Sequence, residues 1–200
     1  STGKLSVQHN VIYSKLPQDA AKLHFQKNYD AIKQAIINLP TSIAKKSTSY
    51  LYTTTEEGVQ ALADEWAMYQ IIDIPSFQTN EIEVNYPILN AIAVTSDYQI
   101  QPYLFQQFYL TKAIEAGAEF YTDARVVKLQ HKERQLQTEQ FLISYDKLII
   151  TSHYPIESIL GLQTMKLTIN RSYLSAVKCD ELLEGQYLQY EEPSRTSRTA

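Results

Sequence analysis

The chain has 200 residues, of which 44% are hydrophobic and 20% charged, and its formal net charge at pH 7 is −4. This composition is typical of a globular protein with one or two domains, and it lacks the basic excess of nucleic-acid-binding proteins. No apolar run reaches membrane-spanning length, so neither nucleic acid nor membrane is an expected partner. The single cysteine, Cys179, excludes an internal disulfide and favours a cytoplasmic location, and we expect an inert, packed thiol.

Helical and strand-like patterns alternate through the first half of the chain. Residues 17–39 carry one apolar stripe at spacings of four and three, which predicts a long helix. Residues 48–54 are β-branched and aromatic, which predicts a strand. Thr54 and Glu57 have the spacing of a capping box, so a second helix is expected to begin there. Residues 72–90 have little periodicity and predict a loop with one short strand at most.

The second half contains more strands than helices. Residues 91–100 look extended, and a third helix is expected from Pro102 to a stop at Gly117. Strand-like runs then follow at 118–122, 125–130, 135–138, 140–145, 165–178 and 186–191. Because the helices interrupt the strands rather than alternate with them, we predict an α+β fold with helices on one side of a mostly antiparallel sheet.

Common catalytic and metal-binding motifs are absent from the sequence. The four histidines have no helical i, i+4 pair and no cysteine close to them, which argues against a zinc or iron–sulfur site. There is no Gly-x-Ser-x-Gly elbow, and the five glycines are too scattered for a phosphate-binding loop. We therefore predict no metal ligands and assign no catalytic residue within this chain.

The segment 97–152 carries the first family resemblance. A helix that begins with proline and ends at glycine is followed by a strand, a β-meander and the turn at Thr151-Ser152. This order resembles the D-amino-acid-oxidase-like family of FAD-dependent oxidoreductases. The resemblance implies that the backbone of Val126 holds the adenine ring and that Thr151 and Ser152 lie near the FAD phosphates. A β-meander with no special role is the alternative.

Two further segments resemble one bacterial branch of that family. The run from Thr2 through Lys4 to His9 is similar to its "T-T-A-K-[LI]-[ST]-x-Q-H" motif, which implies that Thr2 and Lys4 lie near the cofactor. Residues 170–178 and 192–199 are similar to "R-S-Y-x-x-A-x-K … E-x-P-[ST]-R-S-x-R-T". Full-length members of this branch carry a C-terminal Rieske-type [2Fe–2S] domain. The residues that this second match implies as substrate contacts are Arg171, Tyr173, Arg195 and Arg198, although ordinary surface arginines are the alternative.

The resemblance covers nearly the whole chain but lacks the family's glycine-rich dinucleotide turn and the Rieske ligands. It therefore implies an internal fragment of an FAD-dependent oxidoreductase, with the missing FAD-binding and Rieske-type domains as its partners. Within one fragment, residues 1–47 would be an FAD-proximal segment with a long helix and 101–152 a partial FAD-binding segment. Residues 48–100 and 165–200 would form the substrate-side sheet.

The implied activity is oxidation of a small amine or hydroxy substrate by hydride transfer to flavin. The fragment alone is expected to be inactive and to hold no FAD. One alternative is a stand-alone α+β binding or scaffold module without a cofactor, whose tyrosine-rich strands form a recognition surface. Another keeps the flavoenzyme but changes the substrate, for example to glycerol phosphate.

Overall fold

The computed structural model of the protein describes residues 3–152 and 172–199. These residues form two compact units, one made of Ser1–Glu115 with Cys179–Ala200 and the other of Ala116–Lys178. In chain order the elements are β1 (Lys4–Leu5), a 3-10 helix (Tyr13–Lys15), α1 (Gln18–Ile36), β2 (Ala44–Thr53), α2 (Glu56–Ile71), β3 (Ser76–Thr79), β4 (Asn90–Ile100), α3 (Pro102–Glu115), β5 (Val126–Gln130), β6 (Gln135–Thr138), β7 (Leu142–Ser144), β8 (Gln186–Gln189) and β9 (Thr196–Arg198).

The first unit is built on a six-stranded sheet with the order β1-β4-β2-β8-β9, in which β3 also pairs with β4. Only the β2–β8 pair is parallel, and the remaining pairs are antiparallel. The long central strands β2 and β4 are rich in β-branched and aromatic residues, which suit a pleated surface buried by neighbours. A bulge shifts their register between Ser47 and Ser49. The predicted α+β fold with a mostly antiparallel sheet is confirmed.

One face of this sheet packs against helices α1 and α2. Alternate residues of β2 and β4, such as Leu51, Ile92 and Val94, are buried against Leu62 and Tyr69 of α2. Helix α2 begins one residue later than the capping box predicts, because Thr55 is the cap and its side chain accepts a hydrogen bond from the Gly58 N–H at 3.2 Å.

The opposite face of the sheet is lined by tyrosines. The residues of β2 that alternate with the helix-facing set, Tyr50 and Tyr52, join Tyr187 of β8 there. The rings of Tyr50 and Tyr187 are stacked, with centroids 5.1 Å apart and an interplanar angle of 6°. The strand period of two therefore divides the sheet into an aliphatic face under the helices and a phenolic face.

The second unit is a three-stranded antiparallel meander with the order β5-β6-β7. The turn at residues 131–134 joins β5 to β6, as predicted. Among the described residues of this unit, only Leu129 and Thr138 are buried. In its described residues the unit thus has paired strands and very little core.

Two local expectations are wrong, and a third fails over the part of it that the structure describes. Residues 118–122 contain no strand, and none lies within the described stretch 172–178; residues 165–171 fall outside the description. Cys179 is exposed rather than packed. In the first two cases aromatic and β-branched residues suggested strands, but strand propensity requires a neighbour to pair with. The short strand β9 was not predicted.

Candidate functional site

The two ends of the first sheet are bridged by side chains. Lys4 of β1 donates a hydrogen bond from Nζ to the carbonyl of Tyr187 at 3.2 Å, and another to the hydroxyl of Thr196 in β9. Gln99 of β4 likewise donates to the carbonyl of Thr199. Since β1 and β9 are terminal strands in the sheet order, these bridges mean that the sheet curls until its two edges approach each other. We call this region the closed end of the sheet.

Two cations lie side by side at the closed end. A Cβ atom added to Gly3, the neighbour of Lys4, would lie 2.7 Å from Nη2 of Arg198. Burial, followed by the charge of Arg198, lowers the pKa of Lys4 to about 8. Within the described residues the only ion pair joins Lys112 to Glu115, so neither Lys4 nor Arg198 is paired with a carboxylate there. Within the described part of the chain, the closed end therefore carries positive charge with no paired carboxylate, in a partly buried setting.

A row of polar side chains crosses the sheet beside these cations. In the strand register Gln186 lies opposite Ser49 on one side and opposite Arg198 on the other. Directly paired residues point to the same face, so this row lies on the helix-facing side. Gln186 is 1% exposed, and among the described residues neither its amide nitrogen nor its amide oxygen has a hydrogen-bond partner. A buried amide without partners is costly, and such groups are rare in folded proteins.

Two fully buried carboxylates fix the segment that follows β1. Asp97 of β4 accepts hydrogen bonds from the Ser6 hydroxyl at 2.6 Å and the Val7 N–H at 2.9 Å. Burial raises the pKa of Asp97, and the hydrogen bonds from Ser6 and Val7 oppose the rise. Glu65 of α2 accepts from three successive backbone N–H groups, those of residues 12, 13 and 14, at 3.1, 2.9 and 2.7 Å. This segment is thereby held rigidly against the helices.

The phenolic face has its own polar centre. Tyr187 donates from its hydroxyl to Oε2 of Glu83 at 2.7 Å, and the same oxygen accepts from the Glu184 N–H at 2.8 Å. Burial and this carboxylate raise the pKa of Tyr187. A cleft of about 430 Å³ lies here, lined in part by Lys45, Lys46 and the stacked tyrosines. Tyr52 and Tyr86 share a hydroxyl–hydroxyl hydrogen bond of 2.5 Å.

The predicted substrate arginines do not converge. Arg198 lies opposite Gln186 on the helix-facing side. Arg195 lies three residues before Arg198, and its carbonyl accepts from the Gln189 N–H. An odd separation along an extended strand puts two side chains on opposite faces. Arg195 accordingly acts electrostatically on Tyr52 of the phenolic face, where its charge opposes the rise in the pKa of that tyrosine.

The remaining predicted residues are dispersed. Val126 begins β5 and pairs with Thr138, with a register shift directly after it. Thr151 and Ser152 are exposed in the same unit, and Tyr173 is 89% exposed. Thr2 and Arg171 lie outside the described residues. Of the predicted set, the described structure brings together Lys4, expected near the cofactor, and Arg198, expected near the substrate.

Several residues of these centres were missed by sequence reasoning. Glu65 carried a usable signal, because it falls on the apolar stripe of α2 between Leu62 and Tyr69. A carboxylate at such a position needs buried donors. Gln186 and Glu83 gave no comparable signal, because a polar residue in a short strand or a loop is ordinarily exposed.

Comparisons with known proteins bear on the fold of the chain and on its distant relatives. No family model matches the chain. The chain is 23% identical over 205 aligned positions to YhfW of Bacillus subtilis (strain 168), whose name assigns it provisionally to the Rieske 2Fe-2S iron-sulfur proteins. That alignment covers 97% of the chain and 40% of the relative, so the chain spans less than half of the relative's length.

A solved structure shows the same fold. The glycine oxidase of Geobacillus kaustophilus superposes with a TM-score of 0.53 at 15% identity, covering 72% of this chain and 42% of that one. The L-proline dehydrogenase of P. horikoshii gives a TM-score of 0.47 at 15% identity over 70% of this chain and 38% of that one. The chain therefore has a fold found in glycine oxidase, and it is distantly related to a protein named for a Rieske centre. Within the described residues, no helix is both long and apolar enough to cross a membrane.

Proposed function

We propose that this chain is the substrate-side portion of a longer flavin-dependent oxidoreductase, and that it is inactive when separated from the remainder. The observation that carries the proposal is the meeting of Lys4 and Arg198 at the closed end. One belongs to the segment expected near FAD and the other to the segment expected near substrate, and they come from opposite ends of the chain. The glycine oxidase fold and the relative named for a Rieske centre support the same assignment.

The residues present fit a flavin nucleotide. FAD carries phosphate charges and a ring edge that both donates and accepts hydrogen bonds. At the closed end Lys4 offers a cation to the cofactor and Arg198 offers one to an anionic substrate, and neither forms an ion pair with a carboxylate in the described residues. In the other unit Val126 begins β5, and its backbone N–H and C=O are the groups proposed to contact adenine.

In this proposal the protein binds and orients while the cofactor carries out the redox chemistry. When bound, a flavin would accept a hydride from a substrate C–H bond while the adjacent C–N or C–O bond becomes double and the N–H or O–H proton passes to solvent. Lys4 and Arg198 orient anionic groups at the closed end. We further propose Tyr173, Arg171 and Arg195 as substrate contacts, and Thr2, Thr151 and Ser152 as contacts to FAD.

The flavin content of two purified proteins tests the proposal. The gene product that contains this chain is expected to hold one FAD per polypeptide and to show flavin absorbance, whereas the 200-residue chain alone is expected to be colourless and to bind added FAD weakly. Weak binding follows from the lack of a glycine-rich turn in the sequence, because such turns at helix N-termini hold the cofactor phosphates. A colourless full-length product that takes up no added FAD would refute the proposal.

A further inference from the structure

The β-bulge of the first sheet gathers buried polar atoms that no described residue satisfies. In the register of β2 and β4 a single residue, Thr48, lies opposite two, Thr95 and Ser96. A bulge of this kind disrupts the ladder of backbone hydrogen bonds locally. The hydroxyl oxygens of Ser49 and Ser96 are buried there and have no hydrogen-bond partner in the described part of the chain. Gln186 of β8, whose amide is likewise unpaired, lies directly opposite Ser49.

The spacing of Ser49 and Gln186 fits one small molecule between them. The two residues sit on neighbouring parallel strands, whose backbones are about 4.8 Å apart, and their side chains share the helix-facing side. Even so, no hydrogen bond joins the Ser49 hydroxyl to the Gln186 amide. A water molecule joins polar groups that cannot reach each other, because two hydrogen-bond lengths together span about 5.5 Å.

The chemistry of these groups also specifies water. The amide nitrogen of Gln186 donates, its amide oxygen accepts, and the Ser49 hydroxyl can do either. An anion would satisfy the donors alone and a cation the acceptors alone, whereas water serves both and carries no charge. Ser49 is 5% exposed and Gln186 1% exposed, so the smallest molecule that both donates and accepts is the one that fits.

We propose that an internal water molecule bridges the Ser49 hydroxyl and the Gln186 amide beside the bulge, with the Ser96 hydroxyl as the next candidate contact. Internal waters in proteins make about three hydrogen bonds to buried polar groups that would otherwise be unsatisfied. Gln186 lies opposite Arg198 in the sheet, so a fixed amide supports the closed end from within. The hydration site does not depend on the flavin assignment, and the failure of either leaves the other standing.

A crystal structure of the full-length gene product at about 1.5 Å resolution shows the site directly. We expect an isolated density peak within hydrogen-bond distance of both Ser49 Oγ and an amide atom of Gln186. Density from protein atoms that pair with the Gln186 amide would overturn the inference, and so would a site without density. This result does not require any variant to fold.

A double-mutant cycle on the chain tests whether the two side chains share one water. Ser49→Ala is expected to lower the melting temperature by about 2–4 °C, because the water loses a partner and the amide loses the water. In the Gln186→Leu background the same change should have no effect or raise the melting temperature, since the bridge is already broken. Side chains that share no partner give additive effects instead.

Ser47→Ala is the matched control for this cycle. Ser47 lies on the same strand and is also buried, but its hydroxyl donates directly to the Glu184 carbonyl at 3.1 Å. Its loss should therefore cost the same in the native and Gln186→Leu backgrounds. Effects of Ser49→Ala that are as additive as those of Ser47→Ala would overturn the shared water.

Discussion

The two units of the chain differ in how completely they bury their apolar side chains and supply hydrogen bonds to their buried polar ones. The first buries a continuous core and places carboxylates such as Glu65 and Asp97 at 0% exposure, each among several hydrogen-bond donors. The second pairs its three strands, yet Phe141 and Leu142 are 60% and 58% exposed. Backbone pairing alone therefore does not make a stable unit, and the first unit is expected to dominate the folding free energy.

The largest effect is expected from removing the buried carboxylate of α2. Glu65→Ala leaves three backbone N–H groups without their acceptor and opens a cavity, so unfolding should become easier by about 3–5 kcal/mol. Glu57→Ala, in the exposed first turn of the same helix, should cost less than about 0.5 kcal/mol. Urea unfolding followed by circular dichroism measures both. Similar losses for the two variants would contradict the role given to Glu65.

Hydrogen exchange should distinguish the two units directly. Amides of β2 and β4 lie in the core of the first sheet, whereas those of β5–β7 have only two buried side chains beside them. We expect β5–β7 to exchange faster by roughly a hundredfold, equivalent to about 2.7 kcal/mol in opening free energy. Equal protection in the isolated chain would show that the second unit is stabilised by something other than its own core.

Two glycines give a matched test of the phenolic face. A Cβ at Gly185 would lie 2.6 Å from the Tyr187 hydroxyl and 2.7 Å from Tyr50 Cε2, so Gly185→Ala must displace the stacked rings at a cost of about 1–3 kcal/mol. Gly117→Ala meets no atom within 4 Å, although its positive φ adds about 1–2 kcal/mol of backbone strain. Near-ultraviolet circular dichroism should change in the first variant only. An unchanged tyrosine signal in Gly185→Ala would exclude the described stacking.

The smallest expected effect concerns pH and the cation pair. Because the pKa of Lys4 is lowered to about 8 in the folded chain, the unfolded chain binds more protons above that value. Lys4 therefore adds a rise in stability between pH 8 and about 10.5. Lys4→Met should lack this rise and be more stable by about 1 kcal/mol at pH 7.

The difference in stability between the native chain and Lys4→Met reports on the lysine alone. The buried tyrosines have raised pKa values in both proteins and titrate alike. Urea unfolding at a series of pH values gives the comparison. Parallel stability profiles for the two proteins would argue against a perturbed Lys4.

Much of the fold was predictable from the sequence, because its signals are local. The stripe at 17–39 located α1 at Gln18–Ile36, and the glycine-terminated pattern after Pro102 located α3. The closed end was not predictable, since it depends on the curl of a sheet whose edges come from opposite ends of the chain. The sequence could have predicted that Arg195 and Arg198 face opposite sides of the sheet, because side chains three residues apart along a strand point to opposite faces.

The rate of flavin reduction in the full-length gene product tests the central claim most directly. Rapid anaerobic mixing with a panel of small amines and hydroxy acids should identify a substrate that bleaches the flavin absorbance. Arg198→Met should then slow reduction by at least tenfold while the protein still holds its FAD, because a substrate contact would be lost. Arg198→Lys should recover part of the rate. If the flavin of an FAD-loaded Arg198→Met variant is reduced at the native rate by every substrate, the account is contradicted.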